Sequence, residues 1–267
     1  MPFTQADVLS AAQRSLAAAE AHDREGWVGL FTADGRVEDP VGSAPHRGHV
    51  AIGHFYDTFI GPRTIAHHPD NDIVVGTIVV RDLELEIEMA SSVTMRVPVY
   101  IRYDLRGKDE LRIAALSAYW ELPAMMGQFV RGGLGAVPAG ISLGRNMFGN
   151  LGLSGTLGFV SGFRGLGVGG KALFARFLDD ACGGDEVGMR RLVSDTPVTV
   201  GDTEAVTSSE LVKHLSGGSW SKLIGSGRSV AARVDRDGRS TVLVGEIGGT
   251  GRDRARITRI RLFGDLA

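Results

Sequence analysis

Three groups of residues in this 267-residue chain have types and spacings that could do chemistry. The first is glycine-rich. Gly165-Leu166-Gly167-Val168-Gly169-Gly170-Lys171-Ala172 fits GxGxxG and nearly fits a phosphate-binding loop. Ala172 stands where Ser or Thr would hold magnesium, and so dense a run of glycine meets such patterns by chance, so nucleotide binding is set aside. The second group is histidine: His46, His49, His54 and the pair His67-His68 lack the spacing and carboxylate company of a metal centre, and no metal ligands are expected. The third is Asp39 before Pro40, with Phe55, Tyr103 and Trp120 on the elements that follow. Asp-Pro commonly begins turns, and taken alone Asp39 reads as a turn residue. The three aromatic residues read either as plain core or as the lining of a concave pocket for a flat polycyclic ligand.

Composition narrows the field. With 29 basic and 31 acidic side chains the net charge is −2, which argues against a nucleic-acid binder that works through a basic field. One cysteine, Cys182, excludes an intrachain disulfide framework and a cysteine-built zinc site. The opening segment shows neither a basic n-region nor an apolar h-region, and no apolar run approaches the roughly 18 residues of a spanning helix. A cytoplasmic protein is expected.

The elements that must hold these residues change period along the chain. Thr4, with Asp7 three residues on, caps a helix in which Val8, Leu9, Ala12, Leu16 and Ala19 recur at helical spacing. Asp23 caps a short second helix through Trp27, Leu30 and Phe31, and a third runs from His49 to Phe59. The period then falls to two. Leu83, Leu85, Ile87 and Met89 alternate with Glu84, Glu86 and Glu88, and residues 92–106 and 111–120 read as further strands. Helices followed by antiparallel strands predict an α+β domain, its helices packed on one face of a curved sheet.

Charge and glycine divide the chain into three. Residues 1–121 carry 11 basic and 18 acidic side chains. From Leu122 to Leu178 there is no acid against five cations, and 15 glycines fall within the 44 residues from Gly127 to Gly170. This stretch reads as a connector or insert. Inter-domain packing is one role for it, and peripheral membrane contact, or delivery of greasy ligands, is another. Beyond it, a helix around Ala172–Ala181, a second at Ser208–Leu215 and strands at 228–235, 240–247 and 255–263 repeat the first order. The expected boundaries are 1–124 for the first domain, 125–170 for the connector and 171–267 for a degenerate second copy. The second copy has no counterpart of Asp39: Val200 or Gly201 falls there.

The stretch VEDPVGSAPHRGHVAIGHFYD (37–57), with the strand end Ala118-Tyr119-Trp120, resembles the ketosteroid isomerases. These are small enzymes of the cone-shaped α+β fold shared with SnoaL-like cyclases and nuclear transport factor 2. The resemblance covers roughly residues 5–121 and implies two tandem domains of that fold, the second without a catalytic loop. It places the family's general base on Asp39. A base over the apolar face of a steroid enone, together with a donor at the oxygen where charge develops, moves a double bond into conjugation without a cofactor; the family is itself a standard example of such pKa tuning. The family's helix donor matches Ser15, which is too short for that task. Its strand donor matches Tyr100 if the strands are aligned on Pro98. It matches Val99 if aligned on the alternation Val93, Met95, Val97, Val99, Ile101 and Tyr103, which the apolar pattern favours. Tyr56 matches a supporting tyrosine and is a second candidate donor. The resemblance thus implies catalytic roles for Asp39, Tyr56 and Tyr100, and a substrate-binding wall of Ser15, Phe55, Val99, Tyr103 and Trp120. The implied partner is a hydrophobic polycyclic small molecule such as a steroid, with no nucleic acid, and a homo-oligomer is one further expectation. Two other functions stay open: a SnoaL-like cyclase or dehydratase, and a steroid- or lipid-binding accessory protein without turnover.

Overall fold

The computed structural model describes residues 3–90, 93–131, 149, 166–193, 196–249 and 255–264. Most of the glycine-rich stretch, residues 132–148 and 150–165, lies outside them, and with it most of the expected connector, so the expectations of packing or membrane contact there fall outside the described residues. Among the described residues, no helix is long and apolar enough to cross a membrane. The chain divides into two compact units.

In the first unit, α1 (Gln5–Glu20) starts at a reciprocal cap. The Thr4 hydroxyl accepts from the Asp7 amide, and the Asp7 carboxylate accepts from the Thr4 amide at 2.8 Å. Two orphan amides are thereby satisfied. Val8, Ala11, Ala12, Ser15, Leu16 and Ala19 form its buried face, so one hydroxyl sits in an otherwise apolar stripe. Helix α2 (Arg24–Gly29) is capped by Asp23, and its buried Trp27 packs on Phe31, Phe55 and Tyr56 at ring separations of 4.9, 6.2 and 5.5 Å. Helix α3 (Gly48–Phe55) runs on into a π-helical turn, Tyr56–Ile60.

Six strands follow this layer or interleave with it: β1 (Phe31–Glu38), β2 (His46–Arg47), β3 (Thr64–Val75), β4 (Ile78–Ala90), β5 (Val93–Arg106) and β6 (Arg112–Tyr119). Their order in the sheet is β2-β1-β6-β5-β4-β3. The β4–β5 and β5–β6 pairs are antiparallel, whereas β1 runs parallel to β6, so the sheet is mixed. Helix α1 packs across β4, β5 and β6. A further helix, α4 (Leu122–Arg131), comes after β6 and packs against β5.

The second unit repeats this plan. Helices α5 (Gly167–Cys182) and α6 (Glu186–Val193) precede β7 (Val198–Val200), β8 (Glu204–Ala205), α7 (Ser208–Leu215) and strands β9 (Ser219–Ser226), β10 (Ser229–Arg236), β11 (Arg239–Gly248) and β12 (Arg256–Phe263). The sheet order, β8-β7-β12-β11-β10-β9, is the first order over again, including a parallel β7–β12 pair. The chain is therefore two tandem cone-shaped α+β domains of the nuclear transport factor 2-like architecture.

The two cones differ inside. On α5, Phe174, Phe177 and Leu178 are fully buried against Val230, Leu243 and Ile260 of the sheet. Gly245 lies beneath Phe174, where a Cβ would come within 2.3 Å of the ring. Glycine there lets a phenylalanine ring fill the space between helix and sheet. A cleft of about 720 Å³ does open on this unit, among Glu204, Glu210, Lys213, His214, Arg236, Asp237 and Arg239.

Candidate active site

Parallel pairing of β1 with β6 brings their C-terminal ends side by side, with Val37 opposite Leu116 and Glu38 opposite Ser117. The chain leaves both strands at that edge. Beyond β1, the Val41 amide donates to the Ala118 carbonyl at 2.8 Å and the Gly42 amide to the Glu38 carboxylate at 2.8 Å, which pins the loop to β6. Asp39 and Trp120 meet there. The indole N–H of Trp120 donates to Asp39 Oδ1 at 2.5 Å.

Asp39 is half-buried by residue, yet its carboxyl group is enclosed enough for burial to push its pKa from 3.8 up to about 6, against the opposing pull of the Trp120 hydrogen bond. Removing water raises the cost of the charged form, while a donor lowers it. The outcome is a carboxylate that is ionised at neutral pH and takes a proton readily, which is what a general base requires.

The sheet register sorts the other candidates. Cross-strand pairs Leu83–Val99, Arg81–Ile101 and Val79–Tyr103 put Val99, Ile101, Tyr103 and Arg81 on one face. Leu116 and Ala118, opposite Tyr103 and Ile101, continue it on β6. Ser15 of α1 lies against the Tyr103 hydroxyl, and the charge on Asp39 also acts on that hydroxyl. Burial pushes the Tyr103 pKa up to about 12, with Ser15 and Arg81 opposing. Its hydroxyl makes no hydrogen bond of ordinary geometry. Asp39, Trp120, Ser15, Tyr103 and Val99 are thus associated with the side of the sheet that α1 covers, and Phe55 is buried in the helical layer against Trp27.

Tyr100 is not part of this group. It pairs across the sheet with Asp82 and Tyr119, on the opposite face from Val99, and all three are buried there. The structure therefore has the register of the apolar alternation, because a one-residue slip would have turned Val97, Val99 and Ile101 out of the core. Tyr56 stands apart as well. Its pKa is raised by burial and then by Asp23 and Asp57, and Gly61 closes over its ring, with a Cβ there coming within 3.2 Å. Its hydroxyl end belongs to the helical layer, near the Arg24–Asp57 ion pair at 2.6 Å.

Arg81 is the residue that sequence reasoning misses. It is buried, its Nε donates to Asp72 at 2.7 Å, and its Nη1 has no partner among the described residues. A signal for it is present in the chain: Arg81 is in phase with Leu83, Leu85 and Ile87, a cation in the apolar half of an alternating strand.

The first domain thus sets helices on a mixed sheet, with a half-buried, hydrogen-bonded carboxylate just beyond the end of a parallel strand pair. Residues 12–117 match the family model of the SnoaL-like domain, and the first domain is a SnoaL-like domain. Among solved structures, the chain is similar to the Delta 5-3-ketosteroid isomerase from Mycobacterium sp., at 32% identity over 45% of this chain and 96% of that one, with a TM-score of 0.41. A Mycobacterium tuberculosis protein in complex with estradiol-17beta-hemisuccinate is 26% identical over 44% of this chain and 95% of its own, with a TM-score of 0.40. An epoxide hydrolase of the same organism is 16% identical over 48% and 92%, with a TM-score of 0.41.

Proposed function

We propose that the first domain isomerises an unconjugated ketosteroid, with Asp39 as the base. The observation that carries this reading is the Asp39 carboxylate itself, half-buried beside Trp120, with its pKa raised to about 6. Asp39 removes a proton from the carbon between ketone and alkene, and the electron pair of that C–H bond passes into a dienolate. The same proton, now on Asp39, is returned to the far alkene carbon, so the double bond ends in conjugation with the ketone. Nothing is oxidised or reduced. The apolar residues Val99, Ile101, Leu83 and Leu116 suit the body of a flat polycycle. Estradiol-17beta-hemisuccinate, held by the Mycobacterium tuberculosis protein, is a ligand of that class.

The test is turnover of the unconjugated isomer of progesterone, followed by growth of the enone absorption. Wild type should turn it over, and Asp39→Asn should lose several orders of magnitude while still binding progesterone. Equal rates for the two proteins would remove Asp39 from the role. A second reading, a steroid-binding protein without turnover, is favoured by Ser15, whose hydroxyl stands where the resemblance implies a tyrosine donor. Wild type that binds progesterone and never exceeds the buffer rate would establish it.

A further inference from the structure

We propose that Tyr103 is the hydrogen-bond donor to the ketone oxygen of the ligand, with the Arg81 guanidinium beside it stabilising the negative charge that gathers there. This rests on the isomerase reading of the same site, since an oxygen that gains charge is what a donor must serve.

Tyr103 is fully buried on β5, and its hydroxyl has no hydrogen-bond partner among the described residues. Leaving a buried hydroxyl unmatched is costly, and buried polar groups are seldom left so without a reason. Arg81 adds a second such donor on the same face. Val79 is the cross-strand partner of Tyr103, and Arg81 lies two residues along β4, on the diagonal. Its Nε is held by Asp72, and Asp72 also accepts from Gln13 at 3.4 Å, so that carboxylate is occupied on both oxygens. Arg81 Nη1 is left buried and unpartnered. Two unmatched donors on one face call for an acceptor, and a ketone oxygen becoming an enolate oxygen is the strongest acceptor the proposed reaction provides.

The alternatives fail on position. Tyr100 is on the other face of the sheet. The Tyr56 hydroxyl is likewise buried with no hydrogen-bond partner among the described residues, but its charged neighbours are Asp23, Asp57 and Arg24 of the helical layer, whereas Tyr103 feels the charge on Asp39. Ser15 is too short to reach outward from α1, but it lies beside the Tyr103 hydroxyl. Tyr103 therefore supplies from the sheet what the helix lacks. Burial keeps its proton on, with a pKa pushed up to about 12, so an ionised Asp39 and a protonated Tyr103 coexist between about 6 and about 12. The substrate class follows: a flat apolar body whose oxo group lies at the Tyr103 end, with the acidic carbon at Asp39.

Tyr103→Phe tests this without changing shape. Three quantities are measured: the absorption of bound progesterone, kcat for its unconjugated isomer, and the melting temperature. A donor to the carbonyl moves the enone absorption to longer wavelength, so wild type should show that shift and Tyr103→Phe should lose it. The rate should fall about 10²–10³-fold, the usual loss for one oxyanion donor. The melting temperature should stay level, because the hydroxyl, although it lies beside Ser15, makes no hydrogen bond of ordinary geometry. A shift and a rate both retained in Tyr103→Phe overturn the proposal, as does a variant that no longer melts cooperatively, since that makes the hydroxyl structural. A wild type that shows the shift, loses it in Tyr103→Phe and turns nothing over leaves Tyr103 as the donor and removes the isomerase reading alone. No progesterone binding by wild type overturns both.

Discussion

Trp120 Nε1 and Asp39 Oδ1 are 2.5 Å apart, joined by a hydrogen bond across the ends of two parallel strands. The indole thus acts in opposition to burial: burial raises the Asp39 pKa and the N–H lowers it. The balance sets the base near the middle of the range where a proton can be both taken and given.

Trp120→Phe removes the donor and keeps an aromatic ring. A hydrogen bond to a charged group contributes about 1.5–3 kcal/mol, so the Asp39 pKa should rise by about 1–2. The expected result is a pH–rate profile displaced upward by that amount with the alkaline plateau within reach. An unchanged midpoint would mean that the indole does not govern this carboxylate.

The same pKa makes Asp39 a stability cost at neutral pH. The folded protein holds the proton more tightly than the unfolded chain, so between about 4 and 6 the native state binds more protons and stability falls as pH rises. A rise from 3.8 to about 6 corresponds to at most about 3 kcal/mol. Asp39→Asn should therefore be more stable than wild type above pH of about 6, by up to that amount, and the gain should disappear below about 4. Denaturant unfolding at several pH values reads this directly.

Tyr100→Phe and Tyr56→Phe should both keep their rate, because neither hydroxyl belongs to the face that holds Asp39 and Tyr103. A loss of about 10²–10³ in kcat for either would identify it as an oxyanion donor and displace Tyr103.

In the second domain, Gly245→Ala sets a methyl group against the Phe174 ring. Overpacking of this kind typically costs about 1–3 kcal/mol, and unfolding of the full chain should show it. Adding Phe174→Leu should recover part of the loss. Full stability in Gly245→Ala alone would mean that the second cone has room to spare.

Much of the scaffold was legible because local rules and tertiary packing agree there. The Thr4 cap and the Asp23 cap mark two helix starts, and α7 covers Ser208–Leu215 as expected. Strands β4, β5 and β6 follow their alternation. The edge strands were not legible. β3 carries His67, His68, Pro69, Asp70, Asn71 and Asp72, none of them buried, so no apolar alternation is needed; β9, at the other sheet's edge, is mostly half-buried and its Ser219-Trp220-Ser221-Lys222 start shows no apolar run. β1 was hidden by Thr32-Ala33-Asp34-Gly35, which reads as a turn; the strand is bulged there, with its register to β6 shifting between Phe31 and Arg36. At the site, the loop around Asp39 and the aromatic character of its wall could be seen in the chain, as could the register favouring Val99. The Trp120–Asp39 bond could not, because it depends on two strands 81 positions apart in sequence running parallel. Arg81 was masked by the acidic residues on the outer face, which make the strand look like an ordinary amphipathic one.

The most direct measurement is the pH dependence of kcat/KM for the unconjugated isomer of progesterone. With Asp39 as base, the rate should fall about tenfold for each pH unit below a single midpoint near 6 and be level above it. That ionisation should be absent from whatever activity Asp39→Asn retains. A profile flat through this range in wild type, or a midpoint that persists in Asp39→Asn, would contradict the assignment.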